Sequence, residues 1–480
     1  MAERTPVQKT LRSSARFGLW GSFAVTTGLF LLLSPWVQRA LNLGIDTEWS
    51  TFDFAAERSV QHLQALLRID TTEQTGSELQ AANYLADVVR EAGIEPTVEA
   101  LIEDRANFWA IIEGQSSEAL VLHSHLDTDP IRQPDRWEFG PFSGEIEGPW
   151  IYGRGAFDMK SVASAQLEAF LRVREKIETT GEIPERSLIL LATSSEETGS
   201  HLGAQWIVRM YPELVDRTWA LLTEGGVVEA TDRETIKYWG TAFAQKHFAE
   251  VWVCTRTRQR LEDLYEDLST RGHLIDDLSL TEPAREFLRS YAPSREETSF
   301  ARILSDPDSA LENIEDFLFL PAYMQALFRD EIHAFPIEKD PGTQGFRMRL
   351  MVHLRPGQDL NRAMKRLLPE WMTHGLGMTV EGPFGAAASS PLDHPAYEGI
   401  QELLRERFET EATGPFFLTL YANDSRFFRG AGVPSYGFSP FLALATDAAT
   451  INGPDERIAL PAFVGGVDLY VELVDALLKR

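Results

Sequence analysis

A single cysteine, Cys254, in 480 residues leaves no possible intrachain disulfide and no cysteine-based zinc site. Basic side chains are scarce as well. Against 72 Asp and Glu there are 45 Lys and Arg, a net charge of -27, which argues against nucleic acid and anionic membrane surfaces as partners. No Gly-x-Ser-x-Gly turn occurs, so the strained elbow that carries a serine nucleophile is missing. Internal repeats and low-complexity tracts are absent too. What remains is 44% apolar and 24% charged, the make-up of a globular chain long enough for two or three domains.

The N-terminus has no charge from Phe17 to Gln38. As a helix this stretch would reach roughly 33 Å, enough for a hydrocarbon core of about 30 Å. Arg4, Lys9, Arg12 and Arg16 precede it, so the positive-inside rule keeps residues 1–16 cytoplasmic and exports the rest. Trp36-Val37-Gln38-Arg39 offers no small-x-small cleavage site. The expectation is a single-pass membrane anchor over 17–38 and a catalytic body in the periplasm or outside the cell.

Beyond a polar linker, amphipathic stretches at Ala55 to Leu67 and Ser77 to Ala92 read as helices, the second stopped by Gly93. To about residue 240 strands and helices alternate, the pattern of an α/β domain with a mostly parallel sheet and helices on both faces. Its strands are the short apolar runs Ala119–Leu122, Leu188–Leu191 and Trp219–Leu222. Residues 246–374 change texture. Charged helical stretches run from Arg258 to Asp277 and Thr281 to Tyr291, a polar loop is expected from Ser294 to Ala310, and Phe346 to Val352 alternates like a half-buried strand. This segment reads as an inserted α+β lid, leaving 52–245 and 375–480 as the two parts of the catalytic domain.

Each apolar run breaks into chemistry-bearing residues at its downstream end, where ligands bind in sheets of this kind. The first meets His125 and Asp127, the second Glu196-Glu197, the third Glu224. A carboxylate at Asp127 can accept the ring N–H of His125 and turn the other nitrogen to a metal. Asp158 follows a Gly-x-Gly turn, a place where a helix cap is the ordinary occupant. Of two adjacent glutamates, one can hold a metal while its neighbour takes a proton from water. Singly, each signal also fits a solvated turn. Their order and spacing together point to metal-dependent hydrolysis.

With those motifs, and with Gly153–Lys160, His353-Leu354-Arg355-Pro356-Gly357, Asn423-Asp424-Ser425-Arg426 and Asn452–Glu456, the chain from about residue 55 onward resembles the M20 family of zinc-dependent aminoacylases and carboxypeptidases. The anchor and long insert look most like its carboxypeptidase S and N-acyl-amino-acid hydrolase branch. The resemblance implies two zincs. His125 would bind one, Asp127 would orient it, and Asp158 would bridge both. Glu197 and Glu224 would each bind one metal and Glu196 would be the general base. It also implies that Arg355 holds the substrate carboxylate, a task for a bidentate guanidinium, although a solvated strand-end arginine fits the same spot.

The chain departs from the family pattern in several places. Thr223 stands where the branch usually has Asp, which leaves open whether it or Glu224 faces the metal. Ser195 replaces an acid. The Gly-His-Ser motif of the insert is absent, so catalysis and lid-mediated dimerisation lose its histidine, and His353 is a candidate substitute. Asn452 stands where the last ligand should be a histidine. An amide oxygen is a harder, weaker donor than imidazole, which shifts the second site toward Mn²⁺, Mg²⁺ or no ion. The expectation is a metal-dependent enzyme cleaving an amide bond beside a free carboxylate in N-acyl amino acids or small peptides, with one tight zinc and lid closure bringing Arg355 to the substrate. Its rival is an M20-like binding or scaffold protein whose second metal site has decayed.

Overall fold

The computed structural model describes residues 53–479 except 73–75, 103, 231–235, 272–276, 296–297, 385–388, 420–421 and 444. The apolar segment 17–38 lies outside them. Among the described residues no helix is long and apolar enough to cross a membrane.

The main sheet contains β1 (Thr97–Ala100), β2 (Ala106–Ile112), β3 (Ser116–His125), β6 (Arg186–Thr193), β7 (Thr218–Thr223), β8 (Val227–Ala230), β9 (Ile236–Gln245), β15 (Thr413–Leu418) and β16 (Ser435–Gly437). Their order is β1-β2-β6-β3-β7-β16-β9-β15, with β8 on β9. β6, β3, β7 and β16 run parallel through the centre, as the unbroken apolar runs lead one to expect. Antiparallel pairs flank that centre at β1–β2–β6 and at β16–β9. A small sheet of β4 (Glu145–Glu147), β5 (Trp150–Tyr152) and β17 (Arg457–Ala459) carries the loop that follows β3.

Alternate residues of each central strand serve two cores. Leu120, Leu122, Leu188 and Leu190 pack with the helices Lys160–Thr180 and Leu460–Leu477. Ala119, Val121, Ile189 and Leu191 pack on the other face with the helices Ala204–Met210 and Ser425–Gly430. Helices therefore cover both faces, and truncating one of these leucines to alanine costs about 2–5 kcal/mol. The parallel centre fixes the site: β3, β6 and β7 end at His125, Thr193 and Thr223, on one edge of the sheet.

A second, antiparallel sheet has the order β11-β13-β10-β14, with β12 on β13. Its strands are β10 (His247–Thr255), β11 (Glu331–Ala334), β12 (Glu338–Lys339), β13 (Phe346–Leu354) and β14 (Gly377–Phe384). β14 pairs Val380 with Val251, so this stretch belongs to the second sheet and does not resume the first. One face of that sheet buries Ala249, Val251, Val253, Met348, Leu350 and Val352 against the helices Arg258–Arg271 and Leu360–Leu367. The helices from Glu282 to Phe319 pack instead on the main core, where Phe287 meets Phe416 of β15 with ring centroids 5.2 Å apart.

The polar loop expected from Ser294 to Ala310 is largely helical, with Thr298–Ser305 and the start of Ser309–Glu312. Phe300, Ile303 and Leu304 put three apolar side chains on one helical face in an otherwise polar stretch, and that face packs on the main core.

Candidate functional site

His125 ends β3 and is buried. Its Nδ1–H donates to the backbone carbonyl of Asp127 at 2.9 Å, because a carbonyl can only accept. That fixes the tautomer and leaves Nε2 pointing toward Asp158 Oδ1, 3.2 Å away, and Glu224 Oε2, 3.8 Å away. Asp127 thus orients His125 through its main chain, with its carboxylate farther off at 3.5 Å. The carboxylate has other work. It accepts the backbone N–H of Glu196 and of Glu197, each at 2.9 Å, and holds the turn Glu196–Thr198 that carries both glutamates.

Glu224 follows β7 and precedes Gly225 and Gly226, both at positive φ. A Cβ at Gly226 would lie 2.4 Å from the carbonyl oxygen of Gly240, so only glycine turns the chain at this point. Thr223 turns away from the cluster, its hydroxyl 2.9 Å from Nδ1 of the buried His123. Glu224, not Thr223, faces the centre.

Asp158 sits in the loop before the helix Lys160–Thr180, and Glu456 builds that loop. The Glu456 carboxylate accepts the N–H groups of Phe157 and Asp158 at 2.9 and 3.2 Å and an Arg154 N–H at 2.6 Å. Asn452 reaches the carboxylate of Asp158 from the other side, its Nδ2 donating to Oδ2 at 3.1 Å.

These groups are short of positive charge. Burial first, then the charges of Asp158 and its neighbours, push Glu197 well above the usual carboxylate range. Burial and Asp158 likewise raise Glu224 to about 7. Glu196 is raised by burial and by Asp424, with Arg426 and His125 opposing. Burial works against a charged His125, but Asp127, Asp158 and Glu224 together hold its imidazole well above 6.5. Among the described residues nothing donates to the buried Glu197 Oε1. Ligand atoms of His125, Glu196 and Glu224 lie within 4.8 Å of one another. One imidazole nitrogen and several carboxylate oxygens converging, with Arg426 beside Glu196 alone, suit a divalent cation such as Zn²⁺ or Mn²⁺.

The cleft above this cluster holds about 810 Å³. Glu196, Glu197 and Arg426 line one wall, and the open face of the second sheet lines the other through Phe248, Phe335, Arg349, Met351 and His353. Arg426, missed as a site residue although its motif stood out in the sequence, lies 3.5 Å from Glu196 Oε1 and donates to the Asn423 carbonyl at 3.0 Å. Behind it Ser200 donates to Asp424, whose charge helps to raise Glu196. The signal for Asp424 and Arg426 was the Asn423–Arg426 motif, whose spacing alone assigns no role.

Arg355 does not reach the cleft. It is 1% exposed. Its guanidinium donates to Asp330 at 3.1 Å from Nε and again from a terminal nitrogen, to the Phe328 carbonyl at 3.0 Å, and to Ser279. A strand-end arginine is exposed only if the chain beyond the strand leaves it so, and in this fold Asp330 covers it. His353 does line the cleft, its ring 4.3 Å from Phe248 and 4.6 Å from His333. Glu331, His333 and His353 form a second cluster with metal-ligand spacing. There, however, Glu331 already accepts from Lys246 at 2.9 Å and Arg329 at 3.3 Å, so two cations face one carboxylate and a further cation is disfavoured.

A carboxylate-rich centre with one imidazole, at the carboxyl ends of parallel strands and under a second sheet, has the donor set of a metal-ligand site. The chain belongs to peptidase family M20/M25/M40, whose sequence model matches residues 121–476. It is 25% identical over 426 residues to aminoacylase-1 of Sus scrofa, covering 87% of this chain and 95% of that one. The fold is similar to an M20 family metallo-carboxypeptidase from Sulfolobus solfataricus, with a TM-score of 0.67, 17% identity, and coverage of 88% of this chain and 100% of that one. A dinuclear metal-binding M20 peptidase from Bacillus subtilis is similar at a TM-score of 0.53 and 9% identity, over 88% of this chain and 98% of that one.

Proposed function

We propose that this hydrolase cleaves an amide or peptide bond beside a free carboxylate, in N-acyl amino acids or small peptides. The observation that carries the reading is the placement of Glu196. Asp127 holds its main chain, its carboxylate lies with the His125 and Glu224 ligand atoms, and it lines the cleft. The names of the relatives, an aminoacylase and a metallo-carboxypeptidase, support the same bond and the same neighbouring carboxylate.

His125, Asp158 and Glu224 would hold the divalent cation. When bound, the cation supplies Lewis acidity, polarising the scissile carbonyl and easing ionisation of water. Glu196 accepts the proton of the attacking water and returns it to the leaving amine, and its burial makes it a stronger proton acceptor than a solvated glutamate. Arg426, 3.5 Å from the Glu196 carboxylate, helps to hold it in place. Phe248, Phe335 and Met351 exclude water and receive the apolar part of the substrate. Arg349, stacked 4.1 Å above the Phe335 ring and 3.2 Å from Glu250, offers a guanidinium to the substrate carboxylate in place of Arg355.

The test is an assay of purified enzyme against N-acyl amino acids, dipeptides and their C-terminal amides. Cleavage of the free acids and loss of cleavage on amidation support the reading, and equal turnover of the amides removes the carboxylate from it. Residues 17–38 as an anchor for an exported enzyme is a proposal from sequence alone, tested by fractionation and by protease access to intact cells.

A further inference from the structure

We propose that this centre takes one divalent cation and not two, because the Asn452 amide closes the second position with a hydrogen bond to Asp158. The inference rests on the metal-dependent reading above and goes beyond it, since that reading needs only one ion.

A carboxylate that bridges two ions must give one oxygen to each. In this chain the two oxygens of Asp158 are already divided. Oδ1 faces His125 Nε2 at 3.2 Å, on the side where Glu224 also stands. Oδ2 accepts the Asn452 Nδ2–H at 3.1 Å. An amide nitrogen has no lone pair to offer a metal, so Asn452 could act as a ligand only through Oδ1.

That oxygen is held elsewhere. Arg154, 0% exposed and fixed to Glu456 at 2.6 Å, sends one N–H toward Asn452 Oδ1 at 3.4 Å and another to the Asn452 backbone carbonyl at 3.2 Å. Turning the amide over would aim its NH₂ group at a guanidinium and its oxygen at a carboxylate, exchanging two attractions for two repulsions. The carbonyl contact also pins the main chain at this residue, so the amide cannot simply withdraw. A histidine at 452 would have no such amide and could present a ring nitrogen to a second ion.

Glu197 then has no ion to bind. It lines the cleft beside Glu196. One cation bound by His125, Asp158 and Glu224 satisfies the side of Asp158 that Asn452 leaves open.

The experiment is metal analysis of the full-length protein, loaded with Zn²⁺ or Mn²⁺ and freed of loosely bound ions, together with the electron paramagnetic resonance spectrum of the Mn²⁺ form. The wild type is expected to retain one ion per chain and to show only the signal of isolated Mn²⁺. Asn452→His is expected to retain two, with an exchange-coupled spectrum. Glu197→Gln is expected to keep the single ion, which makes a test independent of whether the histidine variant folds. Two ions in the wild type, loss of the ion in Glu197→Gln, or a folded Asn452→His that stays at one ion would each overturn the proposal. No bound ion at all would overturn it together with the metal-dependent reading.

Discussion

The carboxylate of Asp127 spans the backbone amides of Glu196 and Glu197, accepting both N–H groups at 2.9 Å. One residue therefore links the histidine strand to the glutamate turn. Its carbonyl sets the ring of His125, and its side chain sets the main chain of the proposed base.

Replacing Asp127 by Asn leaves the carbonyl in place but gives one of the two amides an NH₂ group in place of an acceptor. Outer-shell changes of this kind cost about 10–100-fold, and the loss is expected in kcat with KM little changed. Steady-state kinetics on an N-acyl amino acid checks this. A rise in KM at constant kcat would show that Asp127 serves substrate binding instead.

The metal-free protein should feel the charge of Glu224. Burial raises this carboxyl to about 7 from its ordinary 4.5, so folding favours its protonated form. That stabilisation is full below pH 4.5, falls as pH rises toward 7, and is gone above. Glu224→Gln copies the protonated form. In chelator-treated samples its Tm should gain on the wild type from pH 5 to about 7 and level off above that, and a gap that closes over that range would contradict burial as the cause. His123, which burial holds at about 4, is common to both proteins and drops out of the difference.

Arg355→Ala is expected to injure the fold and not substrate recognition. Asp330 is 2% exposed, and removing the guanidinium strips it of two hydrogen bonds. The bond from the main-chain N–H at 355 survives the substitution, and Arg366 still donates to Asp330. Breaking a buried ion pair costs roughly 3–5 kcal/mol, and the remaining arginine puts this case at the low end. Denaturant unfolding should show that loss, with KM for folded enzyme nearly unchanged. A tenfold rise in KM at full stability would restore Arg355 to the binding role.

The strand ends were legible because each parallel strand is a short apolar run, and a run that stops at His125, Glu196 or Glu224 announces what stands at the sheet edge. The atoms doing the work were not. Nothing in the order of residues says that Asp127 orients His125 by its carbonyl, or that Thr223 turns toward His123 and leaves Glu224 to the centre. The role of Arg355 came from the family resemblance, and its burial depends on Asp330, 25 positions earlier in the chain. The helix Thr298–Ser305 was hidden by polar composition, since three apolar residues on one face suffice once a larger core is there to receive them. Asn452 was visible as a departure, but its hydrogen bond to Asp158 and the guanidinium behind it belong to a contact across 294 residues.

The most direct measurement is turnover of an N-acyl amino acid by Glu196→Gln, with cation content determined on the same sample. Glutamine keeps the shape and removes the proton acceptor, so kcat should fall about 10²–10⁴-fold while bound metal and KM stay near wild-type values. Activity within a few-fold of wild type, at full metal content, would contradict Glu196 as the base and the mechanism built around it.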